Sequence, residues 1–210
     1  MAKAKKQEKR LLEIAYDTIK DAIIHNEIKP GTMLSEKQLC DSLKMSRTPV
    51  REALRMLETE DLIEVRDGVG TFVKERSQKD IEDAYELRMH MEVLAIQTAI
   101  YEFTEEELEK LEQCFQEMDL RYRSGGTLSI EEYGEADWNL HDMIVRKSKN
   151  RYVKIVMDVI RTPLKRYQSL SVKVISNIEN SMREHLEIIE AIRKQDLPQA
   201  QAILERHIQY

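Results

Sequence analysis

Apolar positions recur at helical spacing along most of this chain, interrupted once by a short stretch of strand alternation. Leu12, Ala15, Ile19, Ala22 and Ile23 form one stripe and predict a first helix over about residues 11–26. Leu39 and Leu43 mark a short second helix. Pro30-Gly31 signals a turn ahead of it, and Ser35-Glu36-Lys37-Gln38 is a capping-box pattern. A tight connection through Lys44 and Met45 leads to Ser46-Arg47-Thr48-Pro49-Val50-Arg51-Glu52-Ala53-Leu54-Arg55. Read as a helix, this segment puts Val50, Ala53, Leu54 and Leu57 on one face, with Pro49 in the first turn where its missing N–H costs nothing. The period then changes. Leu62-Ile63-Glu64-Val65 alternates, Asp67-Gly68-Val69-Gly70 is a turn signal, and Thr71-Phe72-Val73 is a second β-prone run, so a hairpin follows the third helix.

From Ser77 onward only the helical period is found. It predicts helices over about residues 77–102, 104–122, 129–147, 150–171, 172–194 and 197–210. Thr104-Glu105-Glu106-Glu107 is a capping box, Gly125-Gly126 breaks the chain, and Asn150 is placed to cap the helix after it. Leu186, Ile188, Ile189 and Ile192 exceed a narrow stripe, which sets their helix in the middle of a bundle. The expected fold is mainly α: an N-terminal winged helix-turn-helix with a small β-hairpin wing, then a C-terminal all-α helical bundle. The expected organisation is a basic flexible leader over residues 1–10, the winged domain over 11–75 and the bundle over 76–210.

The formal charge of −6 argues superficially against a nucleic-acid partner, but it is unevenly spread. Residues 1–76 hold 15 Lys and Arg against 14 Asp and Glu, while residues 77–210 hold 18 against 25. The acidic surplus lies wholly in the second part. In the first part, Arg47, Arg51 and Arg55 stand in one column at i, i+4 and i+8. Such a column repels itself by a few tenths of a kcal/mol per pair unless a polyanion faces it. The phosphates and base edges of DNA are such a partner; a solvated basic face is the plainer alternative. No apolar run approaches the length of a membrane span, and the leader has no apolar core of a signal peptide. Cys40 and Cys114 are too few for a disulfide framework, so a reducing cytoplasm is expected.

Asp137 and His141 lie at i, i+4 and share a helix face. His185 sits among apolar neighbours on a later helix, and His207 on the last one. Each histidine alone reads as a structural or surface residue. Together, three imidazoles and a carboxylate facing inward would suit Zn, Ni, Co or Mn, with coordination positions left open. Spacing leaves open whether the helices converge.

Pro30-Gly31-Thr32-Met33-Leu34-Ser35-Glu36-Lys37-Gln38-Leu39, the Ser46–Leu54 segment and Gly68-Val69-Gly70-Thr71-Phe72-Val73 resemble the DNA-binding domain of GntR-family transcriptional regulators. The resemblance implies operator contacts by Lys37, Arg47, Thr48, Arg51 and Gly68, and Arg55 continues the same column. Three positions depart from the family pattern: Lys44 and Asp61 stand where turn glycines are usual, and Cys40 where alanine is common. A non-glycine residue in a left-handed turn costs on the order of 1 kcal/mol. Asp137-Trp138-Asn139-Leu140-His141, Glu184-His185 and Arg206-His207 resemble the FCD effector domain of the FadR-type branch. That implies a divalent metal on Asp137, His141, His185 and His207. Leu87-Arg88-Met89-His90-Met91-Glu92 resembles the first helix of that domain, implying that Arg88 pairs with an effector carboxylate; an intrahelical ion pair with Glu92 is the alternative. His90 matches no ligand position.

The expected function is a ligand-responsive DNA-binding regulator and not an enzyme. It would be a homodimeric repressor released from near-palindromic operator DNA by a small organic acid bound at or near the metal. Two alternatives remain. One is a metal-dependent hydrolase with an appended DNA-binding domain, against which no His-Glu-x-x-His motif is present. The other is a constitutive DNA-binding protein.

Overall fold

The residues that follow Met1 are mostly Ala, Lys, Gln, Glu and Arg, all good helix formers, and helix α1 runs from Ala2 to Ile24 in a computed structural model that describes residues 2–75, 77–170 and 178–209. The start expected at Leu11 is therefore too late. Residues 2–10 carry no apolar stripe to predict a helix, but their propensity lets one extend outward from the packed part. Asn26, at φ 58°, ends it.

Two units are distinct, Met1–Ser77 and Gln78–Tyr210. In the first, α1 is followed by β1 (Met33–Leu34), α2 (Glu36–Leu43), α3 (Arg47–Thr59), β2 (Ile63–Arg66) and β3 (Gly70–Val73). The sheet is antiparallel in the order β1-β3-β2, with Glu64 opposite Phe72 and Met33 also paired with Phe72 on its other edge. The expected hairpin is β2–β3. The third strand, β1, was not expected, because two residues are too few to show a period. The chain after Gly31 is held there by paired hydrogen bonds, Gly31 N–H to Val73 O and Val73 N–H to Thr32 O. The core joins Ile19 and Ile23 of α1 to Val50, Leu54 and Leu57 of α3 and to Leu34, Leu62, Ile63 and Val73. The apolar face read from the third helix is thus buried, and its arginines are left outside.

The Ser35 hydroxyl accepts the Gln38 amide at 3.4 Å and starts α2. Lys44 ends it at φ 54°, ψ 43°, with its N–H on the Cys40 carbonyl. Asp61, after α3, stands at φ 60°. Both therefore adopt the left-handed backbone that glycine would take without steric cost. Asp61 has a compensation, an ion pair with Lys74. Lys44, exposed to solvent, is held by its N–H bond to the Cys40 carbonyl.

The second unit contains α4 (Gln78–Ala99), α5 (Glu105–Arg123), α6 (Ile130–Lys147), α7 (Arg151–Leu170), α8 (Ile178–Arg193) and α9 (Leu197–Ile208). Among the described residues it has no strand. Thr104 and Glu107 form a reciprocal capping box, Ser129 caps α6, Asn150 Oδ1 accepts the Tyr152 amide at 3.0 Å, and Asp196 caps α9. The helix start expected at Val172 falls in the stretch 171–177, which lies outside the described residues. Ile188, Ile189 and Ile192 are buried, as the wide stripe on α8 required, against a core that includes Phe115, Leu140, Ile144 and Met182. Helix α4 packs on α6, α7 and α9, so its buried side chains reach the middle of the bundle.

Replacing Lys44 by Gly removes a left-handed non-glycine residue and is expected to stabilise the first unit by about 0.5–1 kcal/mol, after allowing for the added freedom of the unfolded chain. Hydrogen exchange of the α2 and α3 amides should slow accordingly. Unchanged exchange would mean that the turn stores no strain.

Candidate metal centre and nucleic-acid interface

Three helices bring polar side chains to one buried point. Asp137 and His141 face inward from adjacent turns of α6, His185 from mid-α8 and His207 from the last turn of α9. The Nε2 atoms of His185, His141 and His207 lie 3.0, 3.7 and 3.7 Å from the same oxygen, Asp137 Oδ1. One ligand atom from each of the four residues falls within 4.8 Å of all the others. Sequence spacing left convergence open; the fold brings all four expected residues together.

The far side of each outer ring is also engaged. His141 Nδ1 bonds the carboxylate of Glu92, and His207 Nδ1 bonds Glu184 Oε2 at 3.0 Å. A carboxylate accepts, so each Nδ1 carries the hydrogen and each Nε2 of a neutral ring presents a lone pair inward. His141 Nε2 is buried with no hydrogen-bond partner and faces an ionised carboxylate. Lone pair against anion is an unfavourable contact that a cation between them would reverse. His185 stacks on Phe115 with ring centroids 4.4 Å apart, which fixes its plane.

Burial holds His141 below the ordinary imidazole range, and burial together with the neighbouring His207 pushes His185 down to about 3. For His207 burial also opposes charge, but its contacts with Asp137 and Glu184 outweigh burial and raise its pKa. Burial would raise Asp137; the imidazoles around it win and keep its carboxyl well below the usual range. The hydrogen bond from His207 brings Glu184 down to about 2. The ionised carboxylate of Asp137 and the uncharged rings of His141 and His185, joined by His207 once it releases its proton, form a nitrogen–oxygen donor set suited to borderline divalent metals. Donors about 2.1 Å from one ion stand roughly 3–4.2 Å apart, so the most distant of the four would close by about half an ångström.

The sequence offered Glu92 only as an ion-pair partner of Arg88 and gave Glu184 no role; neither was placed behind a histidine. Their only signals were the i, i+4 spacing from Arg88 and adjacency to His185, and acidic residues are too common in this chain for either to stand out. Arg88 is buried, with Nε on Glu92 Oε1 at 2.7 Å and Nη2 3.8 Å from Asp137 Oδ2. The alternative ion pair with Glu92 is therefore present. Nη2 nevertheless has no hydrogen-bond partner. A cleft of about 270 Å³, its open mouth included, runs between α6 and α7 past Trp138, Arg146 and Arg161 and reaches His141 and Glu92.

In the first unit, Lys37, Arg47, Thr48, Arg51, Arg55 and Gly68 are all exposed. Arg51 is bidentate on Glu36, Nε to Oε1 at 3.0 Å and Nη2 to Oε2 at 2.9 Å, across the two helices. Arg55 pairs with Glu52 on its own helix. Gly68, at φ 71°, turns the wing with nothing within 4 Å of where a Cβ would stand. A further arginine near the wing, Arg66, lies over the Phe72 ring with its guanidinium carbon 4.5 Å from the centroid.

Residues 11–73 match the family described as bacterial regulatory proteins, gntR family, and residues 83–210, more than half the chain, match the FCD domain. The chain belongs to the GntR family of regulators, in the branch with an FCD second domain. It is a DNA-binding transcriptional regulator, and the relatives it matches are regulators rather than enzymes. It is 29% identical over 195 residues to an uncharacterised regulator, YdhC, of Bacillus subtilis (strain 168), covering 93% of this chain and 86% of that one. It is 26% identical to the transcriptional repressor RspR of Escherichia coli (strain K12), covering 92% and 84%. A GntR regulator from Rhodococcus sp. RHA1 shares the fold, with a TM-score of 0.74 at 22% identity over 95% of this chain and 94% of that one. Among the described residues of this GntR regulator, no helix is long and apolar enough to cross a membrane.

Glu92 neutralises Arg88 at the centre of the GntR regulator's bundle, so Glu92→Leu leaves a buried guanidinium short of its main partner. The expected cost is about 3–5 kcal/mol. Denaturant unfolding followed by Trp138, the one tryptophan, reads it directly. Glu92→Gln keeps an acceptor and should cost less; equal stability of Glu92→Leu and wild type would show that the pair contributes nothing.

Proposed function

We propose that the FCD domain holds a divalent metal (Zn, Ni, Co or Mn) on Asp137, His141, His185 and His207, and that a small organic acid bound beside it lowers operator affinity. The observation that carries this reading is the convergence of three Nε2 atoms on one ionised carboxylate oxygen, one of them buried without a hydrogen-bond partner. Glu92 and Glu184 behind the rings are the outer carboxylates that orient metal-bound histidines elsewhere. A bound metal supplies open coordination positions for a carboxylate. Arg88 Nη2, a buried donor lacking a hydrogen-bond partner, adds a positive group for the same acid. The cleft over α6 and α7 leads to His141, and it would have to widen to admit even a small acid. Such a ligand would touch helices that carry the cluster, and a differential affinity for two arrangements of the bundle is what linkage to the operator requires. Repression as the sign of regulation is supported by the named activity of RspR. Two free thiols and a DNA partner support a cytoplasmic setting. Lys37, Arg47, Thr48, Arg51, Arg55 and Gly68 are the proposed contacts to the duplex.

We further infer that the working unit is a homodimer joined through α4 and α7. Leu87 and Leu94 stand at i, i+7 on α4, Tyr101 follows in the turn after it, and Tyr152, Ile155 and Val159 lie on α7; all six are exposed, from 36% to 73%. The two helices are neighbours, with the end of α4 against the start of α7 where Thr98 Oγ1 accepts the Lys149 amide at 3.0 Å. Six large apolar side chains exposed on and beside two neighbouring helices are the kind of surface a second copy covers.

Elemental analysis of purified protein should find about one divalent ion per chain in wild type and far less in Asp137→Ala and His185→Ala. Chelator and small carboxylates should each change binding to a selected operator duplex. Metal content equal in all three proteins, or operator binding indifferent to both treatments, would end this reading. Sedimentation should show a wild-type dimer and a folded monomer for Leu94→Glu/Val159→Glu; a dimeric double variant would place the interface elsewhere.

A further inference from the structure

The ion pair between Arg51 and Glu36 does not belong to the fold's core. It lies on the rim between α2 and α3, with the two side chains 52% and 39% exposed. It is also unlike the other pair on that surface. Arg55 reaches Glu52 three residues back on its own helix, which constrains nothing beyond α3. Arg51 reaches across fifteen positions in sequence, with two parallel hydrogen bonds, to a carboxylate in the first turn of α2. The backbone there is set by the Ser35 cap, and the N-terminal end of a helix is a favourable place for an anion.

A guanidinium has five N–H donors in one plane. Glu36 takes the edge made by Nε and Nη2. What remains is the other edge, both hydrogens of Nη1 and the second of Nη2. That edge is itself a two-pronged fork and matches O6 and N7 of guanine. An arginine pinned along one edge has already lost much of its rotamer freedom. It presents the free edge in a fixed direction and is less able to swing onto a phosphate. The carboxylate also offsets part of its positive charge, which weakens the sequence-independent pull toward the DNA backbone.

We propose that Glu36 is a positioning residue for sequence recognition: it braces Arg51 so that the free edge of the guanidinium reads a guanine. This rests on the reading that α3 enters the major groove. Glu36 then adds to discrimination between duplexes and subtracts from non-specific affinity. The same carboxylate acting as a competitor for Arg51 would weaken both alike.

The test uses the full-length protein and a duplex enriched from a random pool by wild-type binding. Single base-pair variants of that duplex are measured with wild type, Glu36→Gln, Arg51→Ala and the double variant, each first checked for the wild-type circular dichroism spectrum. Arg51→Ala identifies the base pair at which discrimination is lost. At that pair, and not at others, Glu36→Gln should lose roughly tenfold in discrimination, while its binding to unrelated duplex holds or tightens. The double variant should lose no more than Arg51→Ala alone. Discrimination unchanged in Glu36→Gln, additive losses in the double variant, or tighter binding with full discrimination would each overturn the bracing role while leaving Arg51 at the interface. If Arg51→Ala itself leaves every preference intact, the docking of α3 through this arginine fails, and the role of Glu36 fails with it.

Discussion

A carboxylate taken out of water in the middle of a helical bundle must be compensated on all sides, and the second domain is organised around that requirement. Asp137 is met by three imidazoles from α6, α8 and α9. Two of those rings are backed by the carboxylates of Glu92 and Glu184, and these in turn by the guanidinium groups of Arg88 and Arg206. Charge alternates outward in shells. Each layer is tolerable only because the next is present, since an unpaired buried charge costs several kcal/mol. The cluster therefore ties four helices to one another more specifically than apolar packing, which tolerates sliding, would do.

That arrangement suits a sensor. A ligand that reaches His141 or Arg88 touches groups whose partners sit on other helices, so a local change in charge or coordination is felt across the bundle. The cleft over α6 and α7 ends on His141 and Glu92, where such a change would begin. Helix α4 faces both ways: it holds Arg88 and Glu92 on its inner face and the exposed Leu87 and Leu94 on its outer one.

The DNA-binding domain solves a different problem. Its total charge is close to balanced, yet it must attract a polyanion. Arrangement rather than total charge sets its surface: the apolar face of α3 is buried, and Arg47, Arg51 and Arg55, the proposed contacts to the duplex, are left exposed. Of these, Arg51 and Arg55 are each held by a glutamate of the same domain. Such partners lower the attraction to phosphate in general and leave geometry to decide which duplex is preferred.

Features carried by near neighbours along the chain were legible from residues alone. The capping signals at Ser35, Thr104 and Asn150, the buried face of α3, the β2–β3 hairpin and the breadth of the α8 stripe depend on spacings of a few residues, where helix and strand geometry act directly. The winged domain, the all-α bundle and the four residues of the histidine–aspartate cluster could be named on that basis and by family resemblance. Tertiary structure decided what depends on residues far apart in the chain. It added β1, whose two residues acquire a strand only by pairing with β3, and it extended α1 back to Ala2. It converged three helices on Asp137, set Glu92 and Glu184 behind the rings, and joined Glu36 to Arg51. A carboxylate in a chain this rich in acids carries no mark of its partner until folding brings the partner within hydrogen-bond reach.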